Sequence, residues 1–149
     1  MAMRLGKGWL PIILVLVLSG SARAQAGSEA ESGAVEVVQA QFEAYNDRNL
    51  ERFLRFYAPE ARIFTLWRDS TNVVKGHDEM RRRYASMSRR PEGVRAQILS
   101  RMVAGRYVID YERVVRPGRK PDDAVAIFEV DSGLIRRVWF LEDPTGPLH

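Results

Sequence analysis

The chain has 149 residues, of which 46% are hydrophobic and 28% charged, with a formal net charge of +4. It contains no cysteine, which excludes disulfides, thiolate metal sites, cysteine nucleophiles and a lipidated cysteine. Its two histidines, His77 and His149, are too few for a His-rich metal site, and neither a metal nor another cofactor is expected.

The N-terminus reads as an address. Arg4 and Lys7 precede an unbroken apolar run, residues 9–18 (WLPIILVLVL), and Ala22-Arg23-Ala24 forms an A-x-A cleavage site ahead of Gln25. That apolar core is about half the ~20 residues a membrane span requires. Residues 1–24 are therefore expected to be a cleaved secretory signal, leaving an exported protein, periplasmic or secreted, with no stable membrane span. Its removal takes three of the 23 bases and none of the 19 acids, so the mature chain stands at +1. Little charge remains to support a nucleic-acid partner, and none is expected. The residual length suits one domain with a single core.

Residues 25–33 (QAGSEAESG) are small and polar and read as a tether, with Ser28 or Ser32 as the cap of a first helix. Val35, Val38, Phe42 and Tyr45 recur at helical spacing, and the helix ends near Asp47. Asn49 caps a second helix with Leu50, Phe53, Leu54 and Tyr57 on one face, and Pro59 ends it. Residues 63–67 (IFTLW) predict a strand covered on both faces, followed by a turn at residues 68–72 and a partner strand at Val73-Val74. A third helix runs from Asp78 to about Ser88. Residues 94–103 and 107–115, and then 124–130 and 134–141, predict two antiparallel hairpins joined by a polar loop, residues 116–123 (RPGRKPDD). Residues 144–149 form a loose tail. Helices segregated from an antiparallel sheet define an α+β domain.

Three stretches carry a resemblance: VVQAQFEAYNDRNLERFLRFYAPEARIF (37–64), GHDEMRRRYASM (76–87) and VAIFEVDSGLIRRVWFL (125–141). The chain resembles the nuclear-transport-factor-two-like superfamily, which includes SnoaL-like polyketide cyclases and ketosteroid isomerases. The resemblance implies a cone over residues 34–143, a curved antiparallel sheet packed against three N-terminal helices around a pocket, and a homodimer formed through the outer face of the sheet. It does not choose an activity. The positions at which ketosteroid isomerases carry their base, oxyanion-holding tyrosine and protonated aspartate fall here on Thr65, Gln41 and Ala126. The resemblance therefore does not extend to the isomerase mechanism.

The best polar constellation is on the first hairpin. A two-residue turn at Ala104-Gly105 puts Gln97, Leu99, Arg101, Val108, Asp110 and Glu112 on one face, with Arg101 a diagonal neighbour of Asp110. A three-residue turn would part them. On a concave wall, Asp110 and Glu112 would serve as a catalytic acid–base pair, with burial and repulsion raising one pKa and Arg101 holding the other group ionised. On an outer wall, they would be ordinary solvated ion pairs or part of a dimer face. Tyr45, Trp67 and Trp139, with Arg101, are candidate ligand-binding residues for a small apolar or aromatic molecule, although aromatics at such spacing also build cores. Glu129 and Arg137 read as a structural pair, the arginine runs as solvated surface, and His77 as a capping or surface residue.

Two functions follow. One is an exported, non-catalytic SnoaL-like protein that binds a small ligand or a partner. The other is a small isomerase, cyclase or dehydratase using Asp110 and Glu112.

Overall fold

The computed structural model describes residues 18–67 and 70–142. Residues 9–17 of the signal segment's apolar core, residues 68–69 of the predicted turn, and residues 143–149, which include the predicted tail, lie outside them. The described chain is α+β: α1 (Leu18–Asn46), α2 (Leu50–Leu54), β1 (Tyr57–Trp67), β2 (Ser70–Lys75), α3 (Gly76–Arg83), a 3-10 turn (Met87–Arg89), then β3 (Arg95–Ala104), β4 (Tyr107–Val115), β5 (Asp122–Asp131) and β6 (Leu134–Glu142). The six strands form one sheet in the order β2-β1-β6-β5-β4-β3.

The sheet is mixed where the sequence predicts an antiparallel one. β1 pairs with β6 in parallel, Ile63 opposite Val138 and Thr65 opposite Phe140, while every other pairing is antiparallel. A parallel contact between the first and last strands of a chain leaves no local turn signal. The helices also differ from their predicted bounds. α1 continues through residues 25–33, although that stretch holds Gly27 and Gly33, which helices disfavour. α2 is only five residues long, and β1 begins at Tyr57 and carries Pro59 across an irregular stretch before Arg62, where a missing N–H is tolerated. α3 ends at Arg83, and the remainder of the predicted helix becomes the 3-10 turn.

The core lies between the helices and one face of the sheet. Val38, Ala44, Phe53, Leu54, Tyr57, Met80, Val108, Phe128, Ile135 and Val138 are buried there. Phe53 is the hub of an aromatic cluster, its ring 5.0 Å from Tyr57 and 4.9 Å from Tyr84. His77 joins α3 to β1, its Nε2–H donating to the Tyr57 carbonyl at 3.0 Å.

Asn46 fixes the end of α1 to the sheet. Its Nδ2 donates to the Ala96 carbonyl at 3.1 Å and its Oδ1 accepts from the Ala96 N–H at 2.9 Å. Asn46→Ala strands both groups of a buried residue, so we expect a loss of about 1–2 kcal/mol in denaturant unfolding. A loss below a few tenths of a kcal/mol would show that water replaces the bridge.

Candidate functional site

The first hairpin turns at Gly105-Arg106, with Ala104 opposite Tyr107 and Arg101 directly opposite Asp110. Gly105 has φ of +60°, the positive value required at the first central position of a II′ turn, and its N–H donates to the Glu31 carboxylate at 3.0 Å. The register thus differs by two residues from the predicted one, which keeps Arg101, Val108, Asp110 and Glu112 on a shared face. An irregularity between Ile98 and Ser100 transfers Ile98 to that face and removes Gln97 and Leu99 from it. The shared face is the inner one: Val108 and Asp110 have no exposed surface.

A cavity of about 980 Å³ opens between this face and the helices, at the upper end of the range for small-molecule sites. α1 supplies Gln41, Phe42 and Tyr45, the aromatic cluster supplies Phe53, Tyr57 and Tyr84, and the sheet supplies Ile63, Thr65, Glu112, Ala124, Phe128 and Phe140. Tyr45 is held by Arg90, whose guanidinium lies 3.9 Å over the ring centroid and also donates to the Tyr45 carbonyl.

The two carboxylates of β4 have different surroundings. Glu112 lines the cavity, and among the described residues its carboxyl makes no side-chain hydrogen bond. Burial, reinforced by the neighbouring charge of Asp110 and opposed by Arg101, pushes its pKa up to about 7. Asp110 sits within the wall, away from the cavity lining. Its two oxygens accept from Arg101 Nε and Nη2, each at 2.7 Å, a bidentate charged pair. Arg101 Nη1 donates to Gln39 Oε1 at 3.1 Å, tying the pair to α1.

Two phenols join Glu112. Burial raises the pKa of Tyr57 and of Tyr84, and the Glu112 charge adds to both shifts, so both remain hydroxyl donors at neutral pH. The sequence places Tyr57 on a face of the second predicted helix and Tyr84 inside the third. Only the switch from α2 to β1 at Tyr57 and the end of α3 before Tyr84 turn them toward the cavity.

The remaining predicted residues separate. Trp139 occupies the outer face, its ring stacked on Phe64 at 5.7 Å with an interplanar angle of 10°, since its neighbours Val138 and Phe140 point inward. The Trp67 side chain lies outside the described residues. Glu129 and Arg137 face each other across β5 and β6 with a 2.7 Å hydrogen bond. Among the described residues, no group of three His, Asp or Glu side chains is arranged to hold a metal ion, and no helix is long and apolar enough to cross a membrane.

A curved sheet and helices enclosing a ligand-sized cavity define the cone-shaped α+β domains of the NTF2-like superfamily. The chain belongs to the SnoaL-like domain family, whose model matches residues 38–138. Among solved structures it is similar to a candidate ketosteroid isomerase from Kribbella flavida DSM 17836, with 15% identity over 80% of this chain and 84% of that one, at a TM-score of 0.64. It is also similar to an uncharacterised cystatin-fold protein from Novosphingobium aromaticivorans, with 25% identity over 72% and 96% of the two chains and a TM-score of 0.61. An NTF2-like protein of unknown function from Mesorhizobium loti matches with 14% identity over 76% and 93%, at a TM-score of 0.66. A search of curated protein sequences finds no significant match.

Proposed function

We propose that this is an exported, homodimeric SnoaL-like protein that binds a small, largely apolar or aromatic molecule in its cone. The observation that carries the reading is the cavity itself: ring-bearing walls with a few convergent polar groups are the composition of a small-molecule site. Export rests on the signal pattern of residues 1–24. Dimerisation is supported by the outer face of the sheet, where Leu99, Met102, Tyr107, Tyr111 and Leu141 are all exposed, Met102 to 60%; large apolar side chains gathered on one face suit a protein interface.

A second reading, acid–base catalysis, is favoured by Glu112. A carboxyl poised near neutrality beside two protonated phenols can take a proton from carbon next to a carbonyl while a phenol donates a hydrogen bond to the resulting enolate oxygen. Returning the proton to a different carbon completes an isomerisation. Asp110 and Arg101 then act on Glu112 from within the wall, and Tyr45 shapes the cavity.

Native mass spectrometry of the protein recovered gently from an exporting host tests the primary reading. The expected result is a dimer of chains beginning at Gln25, carrying a small-molecule adduct whose occupancy falls in Ala124→Trp, which puts an indole into the cavity lining. A monomer, an intact N-terminus or an adduct whose occupancy is unchanged in that variant overturns the corresponding part.

A further inference from the structure

We propose that the ligand is an anionic amphipathic molecule, its apolar body inside the cavity and its acidic headgroup at the mouth between Arg83, Arg119 and Lys120. This rests on the reading of the cavity as a ligand site and adds the ligand's charge and its direction of entry.

The mouth is basic by convergence of two separate elements. Arg83 closes α3, and Arg119 and Lys120 belong to the loop between β4 and β5; all three are exposed and all line the cavity. The acids nearby are already engaged. Asp122 pairs with Arg116, and Asp123 accepts from Arg113 at 2.7 Å and from the Tyr111 hydroxyl at 2.8 Å. Among the described residues, Arg83, Arg119 and Lys120 form no ion pair, so the mouth carries an uncompensated positive charge.

The loop that presents two of these cations is braced. The Arg119 N–H donates to the Arg116 carbonyl at 3.1 Å. Gly93, at φ of +85°, lies so close to Pro117 that an added Cβ would stand 2.8 Å from the proline ring. A headgroup therefore meets cations on a supported loop, with less ordering left for binding to impose.

The interior has the opposite character and fixes the direction. An acidic headgroup placed deep in the cavity would lie beside Glu112, with the buried Asp110 carboxylate behind it and the single guanidinium of Arg101 already committed to Asp110. Aromatic walls around Phe53 and Phe140 suit the apolar body instead. Glu112, when protonated, offers its hydroxyl to an acceptor at the far end of that body. The three zones give a ligand with an anion at one end, rings or chain in the middle and a carbonyl or ether oxygen at the other.

Paired fluorescent probes test the charge requirement: anilinonaphthalene sulfonate and its uncharged parent phenylnaphthylamine, which share their rings and differ in the sulfonate. The protein is expected to bind the sulfonate about tenfold tighter, as three partly exposed ionic contacts allow, and added salt should erase the preference. The combined Arg83→Ala, Arg119→Ala and Lys120→Ala variant should bring the two probes to parity while leaving the parent's affinity unchanged, which also reports that the cavity is intact. Equal affinities in the unaltered protein, or a preference that persists in the variant, overturn the proposal. Binding of the parent without sulfonate preference leaves the cavity reading standing and removes only the anion. Failure of both probes to bind removes both.

Discussion

Arg101→Ala is expected to destabilise the protein by about 3–5 kcal/mol, the cost of leaving a buried charge without its partner. Asp110 has no exposed surface, and Arg101 satisfies both of its oxygens through parallel 2.7 Å hydrogen bonds. Without the guanidinium, the carboxylate must either remain charged in an apolar wall or take up a proton, and both routes cost folding free energy. The variant also releases Gln39, so α1 loses a tie to β3. Arg101→Lys should recover only part of the loss, because an ammonium cannot reproduce the two-pronged geometry. Urea unfolding checks both variants through a shift of the midpoint at constant slope. A loss under about 1 kcal/mol for the alanine variant would mean that water enters the wall and solvates Asp110. The effect of the carboxylate on the cavity has a definite sign: the Asp110 charge raises the Glu112 pKa, so Asp110→Asn moves that titration down.

The helix faces and the strand pairs of the last third of the chain were legible because their signals are local. Val38, Phe42 and Tyr45 recur with the helical period, and glycine marks each hairpin turn. The common face of Arg101, Asp110 and Glu112 was legible for the same reason, since side chains alternate along a strand and a shift of two residues preserves the face. The irregularity at Leu99 was not, because an extra residue has no composition of its own. Trp139 shows a different limit. In residues 138–141 (VWFL) both faces are apolar, so alternation does not tell inside from outside, and only the positions of Phe64 and the helices decide. Tyr57 and Tyr84 entered the cavity through long-range packing, one by the early start of β1 and the other by the early end of α3. The separation of Asp110 from the cavity likewise depends on how far one arginine reaches across a hairpin.

Glu112→Gln is expected to stabilise the protein by up to about 3 kcal/mol above pH 7, at 1.36 kcal/mol per pKa unit. The folded-state pKa is about 7 against a reference of 4.5, so the native state binds the proton more tightly than the unfolded chain. The stability this carboxyl contributes is complete below pH 4.5, declines as pH rises, and is lost above pH 7, where a charged group remains in a mostly buried site. Glutamine resembles the protonated acid in shape and carries no charge. The variant should therefore match the unaltered protein at pH 4.5, diverge from it between pH 4.5 and pH 7, and remain more stable beyond. Unfolding measured across that window checks the sign; parallel curves for the two proteins would mean that Glu112 is solvated and titrates normally. The same substitution separates the two functional readings. A binding protein should retain its ligand while gaining stability, whereas an enzyme using Glu112 as its base should lose turnover by about 10²–10⁴-fold. A site whose residue opposes folding at neutral pH and yet is required for turnover carries strain for the sake of chemistry. One that gains stability with no loss of binding needs only a neutral hydrogen-bond donor at this position, which glutamine supplies as well as the protonated acid.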